Sequence, residues 1–372
     1  MLEEEYYGKV SEVAMEIGVN QKLAKILLKD GIIPSVKTGS EIRRRYYTTK
    51  SWILHAANKI KTTHNLPDNS PLKKVFLTKN ITKNIFETKN KNCTIVCMTN
   101  QKGGVGKTTD AVNFAVALAK LGQKTLVIDM DSQSHSSRYI NRGDDDLSFE
   151  GKSVLNLFYK LTQREDLTKE IVESYIVSFD NIEEEGYGID ILPSEIRLAR
   201  MMELTRMIPN AEKLLYKEII GKIKTDYDYI IIDTPPSASL SLSSSLYACD
   251  IAVISTELNK LAEEGMRATI EEIGYLSKNI EKEIGIGAVI INSYSLANKM
   301  DDKYLKKTID NAMSAEVDYP DIYSVKSSPS LVSETQDQGI PIIESKKRIR
   351  ETLRVVSPFM SFAISLIEKR GA

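Results

Sequence analysis

Thr94-Ile95-Val96-Cys97-Met98, then Thr99-Asn100-Gln101, then Lys102-Gly103-Gly104-Val105-Gly106-Lys107-Thr108-Thr109, then an apolar run over residues 111–121: this order decides the fold. The first stretch is short, apolar and β-rich, and the last is long enough for a helix. Strand, glycine loop and helix in succession are the setting of a phosphate-binding loop. Gly103, Gly104 and Gly106 allow positive φ and let several backbone N–H groups gather round one phosphate, with Val105 and Thr109 completing the loop. A helix starting near Lys107 adds the partial positive charge of its N-terminus. Lys107 is placed to reach β and γ phosphates, and the Thr108 hydroxyl to reach Mg²⁺.

The standard pattern GxxxxGK[ST] fails here by one residue, because Gln101 stands where its first glycine belongs. What the loop has instead is a second lysine, Lys102, five residues before Lys107. Two cations in one short loop repel each other unless both face phosphate charge. The bland alternative, a glycine-rich turn with one solvated lysine, does not explain the strand-to-helix setting.

Two further strand-like runs end in carboxylates. Thr125-Leu126-Val127-Ile128-Asp129 continues into Met130-Asp131-Ser132-Gln133, and Tyr229-Ile230-Ile231-Ile232-Asp233 continues into Thr234-Pro235-Pro236-Ser237. In a doubly wound, mostly parallel α/β sheet, residues at such strand ends line the ligand crevice. Four apolar residues followed by Asp is also the arrangement in which a carboxylate holds Mg²⁺ directly or through water. Each string alone is weak; the three in this order are specific.

At 372 residues the chain is long enough for more than one domain. With 42% hydrophobic and 27% charged residues it reads as globular. No apolar run approaches the ~20 residues of a membrane span. The acidic start, Met1 to Glu5, lacks the order of a secretory signal. Three sparse cysteines, Cys93, Cys97 and Cys249, read as buried residues of a reducing cytoplasm, not as zinc ligands. His55, His64 and His135 form no ligand set.

Charge divides unevenly. Residues 1–92 hold 17 lysines and arginines against 9 acids, +8, which leaves −9 for residues 93–372 of a chain whose total is −1. Such a split suggests a nucleic-acid-facing module before an acidic one, although a lysine-rich composition alone would give it too. Val13, Ala14 and Ile17 share a helical face. A second helix is expected from Gln21 to about Lys29, with Leu23, Ile26 and Leu27 inside and Lys22 and Lys25 toward solvent. Residues 32–37 and 42–47 bracket a Thr38-Gly39-Ser40 turn, an expected β-hairpin carrying Arg43, Arg44 and Arg45. A further helix would carry Trp52, Ile53, Ala56 and Ile60. The pattern resembles winged helix-turn-helix domains, with a small basic helical bundle as the alternative. On the first reading Lys22 and Lys25 face a groove and the three arginines grip phosphate. The expected organisation is a winged helix-turn-helix domain over 1–61, a linker over 62–92 and a P-loop ATPase domain over 93–372.

Over residues 93–345 the chain resembles the deviant-Walker P-loop ATPases, and within them the ParA partition proteins. Lys102-Gly-Gly-Val-Gly-Lys107-Thr-Thr, Asp129-Met-Asp131-Ser-Gln133 and Asp233-Thr-Pro-Pro-Ser237 carry the resemblance, supported by Ala248-Cys249-Asp250 and Gln338-Gly339-Ile340-Pro341-Ile342. An N-terminal helix-turn-helix resembles the larger, autoregulating plasmid subtype. The resemblance implies weak ATP hydrolysis with Mg²⁺ and an ATP-dependent homodimer, in which Lys102 reaches the partner's phosphates. It implies that Asp131 positions the attacking water, that Asp129 supports loop and metal, and that Asn292 contacts adenine. Expected partners are a second copy, a ParB-like centromere-binding protein that stimulates hydrolysis, non-specific DNA and operator DNA, with no membrane. The ATP-bound form would associate with the nucleoid in the cytoplasm.

Two features depart from the family pattern: Ser132 replaces the usual proline after Asp131, and Asp110 adds a charge behind the loop. Basic clusters at Lys303, Lys306 and Lys307 and around Arg350 are candidates for non-specific DNA contact, or ordinary solvated faces. A MinD-like membrane-cycling ATPase would need an amphipathic C-terminal helix beyond the core; residues 357–370 read better as a closing helix. A nucleotide-modulated transcriptional regulator is the remaining alternative.

Overall fold

The computed structural model describes residues 6–7, 9–16, 21, 24–25, 28, 36–38, 45–49, 93–140, 149, 151–180, 188–280, 284–294, 304, 307–308, 320–345 and 349–371. In chain order the strands are β1 (Tyr6–Tyr7), β2 (Val36–Thr38), β3 (Arg45–Thr49), β4 (Thr94–Thr99), β5 (Thr125–Asp129), β6 (Val177–Asp180), β7 (Gly188–Leu192), β8 (Tyr229–Asp233), β9 (Ile251–Glu257), β10 (Gly285–Tyr294) and β11 (Asp321–Lys326). The main helices are α1 (Val10–Glu16), α2 (Lys107–Lys120), α3 (His135–Ile140), α4 (Val154–Thr162), α5 (Lys169–Ser174), α6 (Leu198–Thr205), α7 (Leu240–Ala248), α8 (Lys260–Ile280), α9 (Pro329–Asp337) and α10 (Ile349–Gly371).

From β4 onward the strands form one eight-stranded sheet in the order β11-β10-β9-β4-β8-β5-β7-β6. Every neighbouring pair is parallel except β6 with β7. The chain leaves β4 toward β5 on one side and later passes to β9 on the other, so the order reverses at β4. In open α/β sheets the crevice at that reversal receives the ligand. Burial explains the parallel arrangement. Val96 and Met98 of β4 join one core cluster and Ile95 and Cys97 the other; Ile231 and Ile230 of β8 divide likewise. Both faces are covered, which is why these strands read as unbroken apolar runs. Helices α2 and α10 cover the first face, where Phe114 and Phe362 stack at 4.6 Å. Helices α4, α6, α7 and α8 contribute to the second.

The expected strands at 94–98, 125–129 and 229–233 are present, the first extended to Thr99. The closing helix is present as α10, with Val355, Phe359, Phe362, Ala363 and Leu366 buried in the core. Cys97 and Cys249 are buried as read, and no cysteine is in a disulfide.

At the N-terminus, β2 and β3 form an antiparallel hairpin with Val36 opposite Tyr47 and Thr38 opposite Arg45. The strands lie slightly later than expected: Thr38 belongs to β2, not to the turn. Strand β1, which the sequence did not suggest, pairs with β3 on its other side. Val13 is buried on α1 as expected. In the second helical segment Ala24 and Leu28 are the buried described residues, and Lys25 is exposed. Leu23, Ile26, Leu27, Lys22, Arg43, Arg44, the helix expected around Trp52 and the linker all lie outside the described residues.

Candidate functional site

Strands β4, β5 and β8 end at one level, because Met98 and Asp129 both pair in register with Asp233. The loop after β4 therefore rises beside the two strand-end carboxylates. Gly104 has φ 77° and Gly106, the N-cap of α2, has φ 95°. The second position is doubly restricted, since a Cβ there would sit 2.6 Å from Asn292 Nδ2. A cavity of about 650 Å³ opens over the loop, with Asp131, Pro236, Asn292 and Gln336 among its walls. That volume lies within the range of small-molecule sites, roughly 300–1,000 Å³.

The two lysines have opposite placements. Lys107 is buried, 7% exposed, and its Nζ donates to the Lys102 carbonyl oxygen at 3.2 Å. Burial lowers its pKa, and Asp233, Asp131 and Asp110 act the other way. Lys102 lies on the outer side, its Nζ donating to the Gly103 carbonyl oxygen at 2.8 Å. Lys107 lines the cavity, whereas Lys102 is partly exposed and is not among the lining residues.

Thr108 Oγ1 donates to Asp233 Oδ2 at 2.8 Å, and Ser136 Oγ donates to the same oxygen at 2.6 Å. Asp233 Oδ1 is buried with no hydrogen-bond partner among the described residues. Burial raises the Asp233 pKa against those two hydroxyl donors, and burial beside Asp233 pushes Asp129 up to about 8. An orphaned buried carboxylate oxygen next to a threonine hydroxyl fits a hard cation. Among the described residues no three acids, histidines or cysteines could hold a metal by themselves. A cation here would need oxygens from its ligand, as Mg²⁺ does at nucleotide sites.

Asp129 is engaged by the chain that follows it. Its Oδ2 accepts from Ser137 N at 3.0 Å and Ser137 Oγ at 2.7 Å, and its Oδ1 accepts from Asp131 N at 3.1 Å. It braces the segment that carries Asp131. Asp131 Oδ1 in turn accepts from Gln133 N at 3.0 Å, and the side chain lines the cavity.

Asn292 stands at the end of β10 as its sequence position suggested, but its amide is turned to the loop. Nδ2 donates to Val105 O and to Asp110 Oδ2, each at 2.8 Å. Only its Oδ1 is left for a base. Asp110 is fully buried on α2, and burial pushes its pKa up to about 8, while the hydrogen bond from Asn292 partly offsets that rise. Between pH 4 and 8 the folded, ligand-free protein therefore holds a proton that the unfolded chain releases, so this group makes stability fall as pH rises. At about 1.4 kcal/mol per pKa unit the cost at pH 8 reaches several kcal/mol. Asp110→Asn keeps an acceptor for Asn292 and removes that cost. In magnesium- and nucleotide-free buffer it should melt several degrees above wild type at pH 8, with the gap closing steadily as pH falls toward 4. Equal melting temperatures at pH 8 would refute this account of the carboxyl.

Of the basic candidates, Lys25 and Lys307 are exposed, and Lys307 pairs with the buried Glu263 at 3.7 Å. Lys303 and Lys306 lie outside the described residues; Arg45 and Arg350 belong to β3 and α10, but their side chains are not described. Ser136 and Ser137 were missed by sequence reasoning. Their signal is the serine-rich stretch after Asp131, with Ser132, Ser134, Ser136 and Ser137 within six residues.

A model described as an AAA domain matches residues 93–286, just over half of the chain. The sporulation initiation inhibitor protein Soj of Bacillus subtilis is 30% identical over 198 residues, covering 53% of this chain and 71% of Soj. A plasmid partition protein of Borrelia burgdorferi, solved with AMPPNP, superposes with a TM-score of 0.54 at 22% identity, over 72% of this chain and 99% of that one. A cobyrinic acid a,c-diamide synthase of Mycobacterium smegmatis, solved with ADP and magnesium, gives 0.55 at 21% identity, over 74% and 94%. The two structures share the fold with this chain while serving different chemistries, so function has to be read from the site. The AAA-domain match and the Soj-type relatives, together with this loop, make the chain a member of the ParA family of ATPases.

Proposed function

We propose that this protein is a partition ATPase whose ATP-bound form pairs with a second copy and binds DNA without sequence preference. The observation that carries this reading is the opposed placement of two lysines in one loop, Lys107 inside and Lys102 outside. Lys107 and the loop N–H groups would hold the phosphates of ATP, and Thr108 and Asp233 would hold Mg²⁺. The bound Mg²⁺ would neutralise charge on the phosphates. Asp131 orients water at the cavity wall. Lys102 swings off the Gly103 carbonyl toward the partner's nucleotide, so the paired state is favoured only while a γ-phosphate is present.

A ParB-like partner would stimulate hydrolysis, and residues 1–61 would hold the operator of the protein's own operon as a winged helix-turn-helix domain. The hairpin β2–β3 and the exposed Lys25 support that part. Residues 62–92 would link it to the ATPase domain at 93–372. Nucleoid association in the cytoplasm follows from DNA binding. The apolar face of α10 is already packed in the core, which leaves a membrane-cycling role without support. No described helix is long and apolar enough to cross a membrane.

Binding to random-sequence DNA with ATP, ADP or no nucleotide tests the proposal. Wild type should bind only with ATP, with affinity falling steeply from 50 to 200 mM salt. Lys107→Ala should lose ATP affinity by on the order of 10²-fold and lose the ATP-dependent DNA binding with it. Equal binding in all three states would instead indicate a transcriptional regulator.

A further inference from the structure

The loop that carries Lys102 does not stand alone; its first residues are seated on α8. Gln101 N donates to Thr269 Oγ1 at 3.1 Å, and Gln101 Nε2 donates to the Ala268 carbonyl oxygen at 3.2 Å. Asn100 Nδ2 donates to the Ser255 carbonyl oxygen at 2.8 Å, and Asn100 Oδ1 accepts from Lys102 N at 2.8 Å. Gln101 is thus tied to α8 through its N–H and side chain, and the Lys102 N–H is held through Asn100, whose amide is anchored on β9. Gln101 occupies the position where the standard loop has glycine, and its amide is what reaches the helix.

The helix approaches at Gly265. A Cβ there would lie 2.5 Å from Asn100 Oδ1, 2.8 Å from Lys102 Cβ and 3.0 Å from Lys102 N. Two of these three neighbours belong to Lys102 itself, one of them backbone. Glycine inside a 21-residue helix is locally unfavourable, so a packing reason is required. Thr269, one turn later, is fully buried and its Oγ1 also donates to the Gly265 carbonyl oxygen at 2.8 Å. Gly265, Ala268 and Thr269 form one stripe of α8, spaced at three and four residues, and that stripe meets the loop at Asn100, Gln101 and Lys102.

We propose that α8 is the positioning element of Lys102: Gly265 leaves the room and Thr269 supplies the anchor that aim this lysine out of its own site toward a second copy. The proposal rests on the reading of Lys102 given above. Gly265 and Thr269 touch no nucleotide in this scheme; they act through the loop backbone. Thr108 and Asp233 are held apart from this seat by each other and by Ser136, and Lys107 touches it only through the Lys102 carbonyl oxygen, so nucleotide binding by one protomer depends little on the seat.

The opposed effects of one methyl group give the test. Gly265→Ala gains about 1 kcal/mol of helix propensity, which offsets much of the overpacking cost, so the protein should stay folded with a melting temperature within a few degrees of wild type. It should nevertheless weaken ATP-dependent dimerisation, read by analytical ultracentrifugation, at least tenfold, and lower kcat in step. Affinity of the monomer for a fluorescent ATP analogue should stay within about twofold. Thr269→Val should do the same, and Thr269→Ser, which keeps the hydroxyl, should restore dimerisation. In a Lys102→Ala background Gly265→Ala should add no further loss, because coupled residues are not additive. Unchanged dimerisation in Gly265→Ala and Thr269→Val, or a loss equal in both backgrounds, would overturn the proposal. If Lys102→Ala itself leaves dimerisation unchanged, the earlier reading fails instead.

Discussion

Lys102→Ala should bind ATP as a monomer nearly as well as wild type, yet dimerise far more weakly and lose on the order of 10³-fold or more in kcat. The magnitude is that of a cation supplied in trans to a transferring phosphoryl group, about 10³ to 10⁵. The retained affinity follows from geometry. The cavity-facing lysine is Lys107, buried and held by the Lys102 carbonyl oxygen, a backbone atom that alanine keeps. The Lys102 ammonium contributes nothing to that contact; its hydrogen bond is to Gly103 O at the loop's outer edge. Removing it even eases Lys107, whose charged form Lys102 disfavours. Light scattering with and without saturating ATP and Mg²⁺ reads the first effect, and phosphate release at matched protein concentration the second. An unchanged monomer–dimer balance would show that the outer lysine serves no partner.

Much of this site is legible in the sequence because its parts are local. A strand buried on both faces announces itself as a run such as Tyr229 to Ile232, and the residue after the run lands at the crevice. The glycine loop is contiguous, so its placement between β4 and α2 follows from order alone. Where the sequence is silent, the partners are far apart along the chain. Asn292 and Asp110 are 182 residues apart, Gln101 and Thr269 168, Thr108 and Asp233 125. A side chain's type does not tell which of several distant neighbours it will meet. Asn292 could be placed at a strand end but not aimed; its amide satisfies the loop carbonyl and the buried Asp110. Gly265 carries no local signal beyond being an ill-suited residue for a helix. Strands β6 and β7 escaped because β6 is the antiparallel, only partly covered edge of the sheet and β7 beside it is broken by Gly188 and Asp190, so their runs are mixed. The basic face could not be chosen from spacing, since lysines at helical intervals serve a solvated surface as readily as a phosphate backbone.

Asp131→Asn separates chemistry from assembly, and in the opposite sense to Lys102→Ala. The carboxylate is fixed from two sides: its own N–H is held by Asp129 Oδ1, and its Oδ1 accepts from Gln133 N. Ser137 holds Asp129 in turn, and the Ser137 hydroxyl also accepts from Ser194 N at 3.0 Å, so the brace extends to the segment after β7. Asparagine is nearly isosteric and can keep the Gln133 contact, so the loop should not move. What it loses is the negative charge to which the proposed function gives the orientation of water at the cavity wall. General-base and water-orienting groups contribute about 10² to 10⁴ in rate, and kcat should fall by that factor. ATP affinity should be retained or slightly improved, since a like charge near the phosphates is gone. Because the γ-phosphate now persists, the ATP-bound dimer should accumulate and stay on DNA, with dissociation slowed roughly as much as hydrolysis. Single-turnover hydrolysis and DNA off-rates from the same preparation check both halves. A kcat within tenfold of wild type would move the water-orienting role elsewhere. A slow enzyme that still leaves DNA at the wild-type rate would break the link between hydrolysis and release.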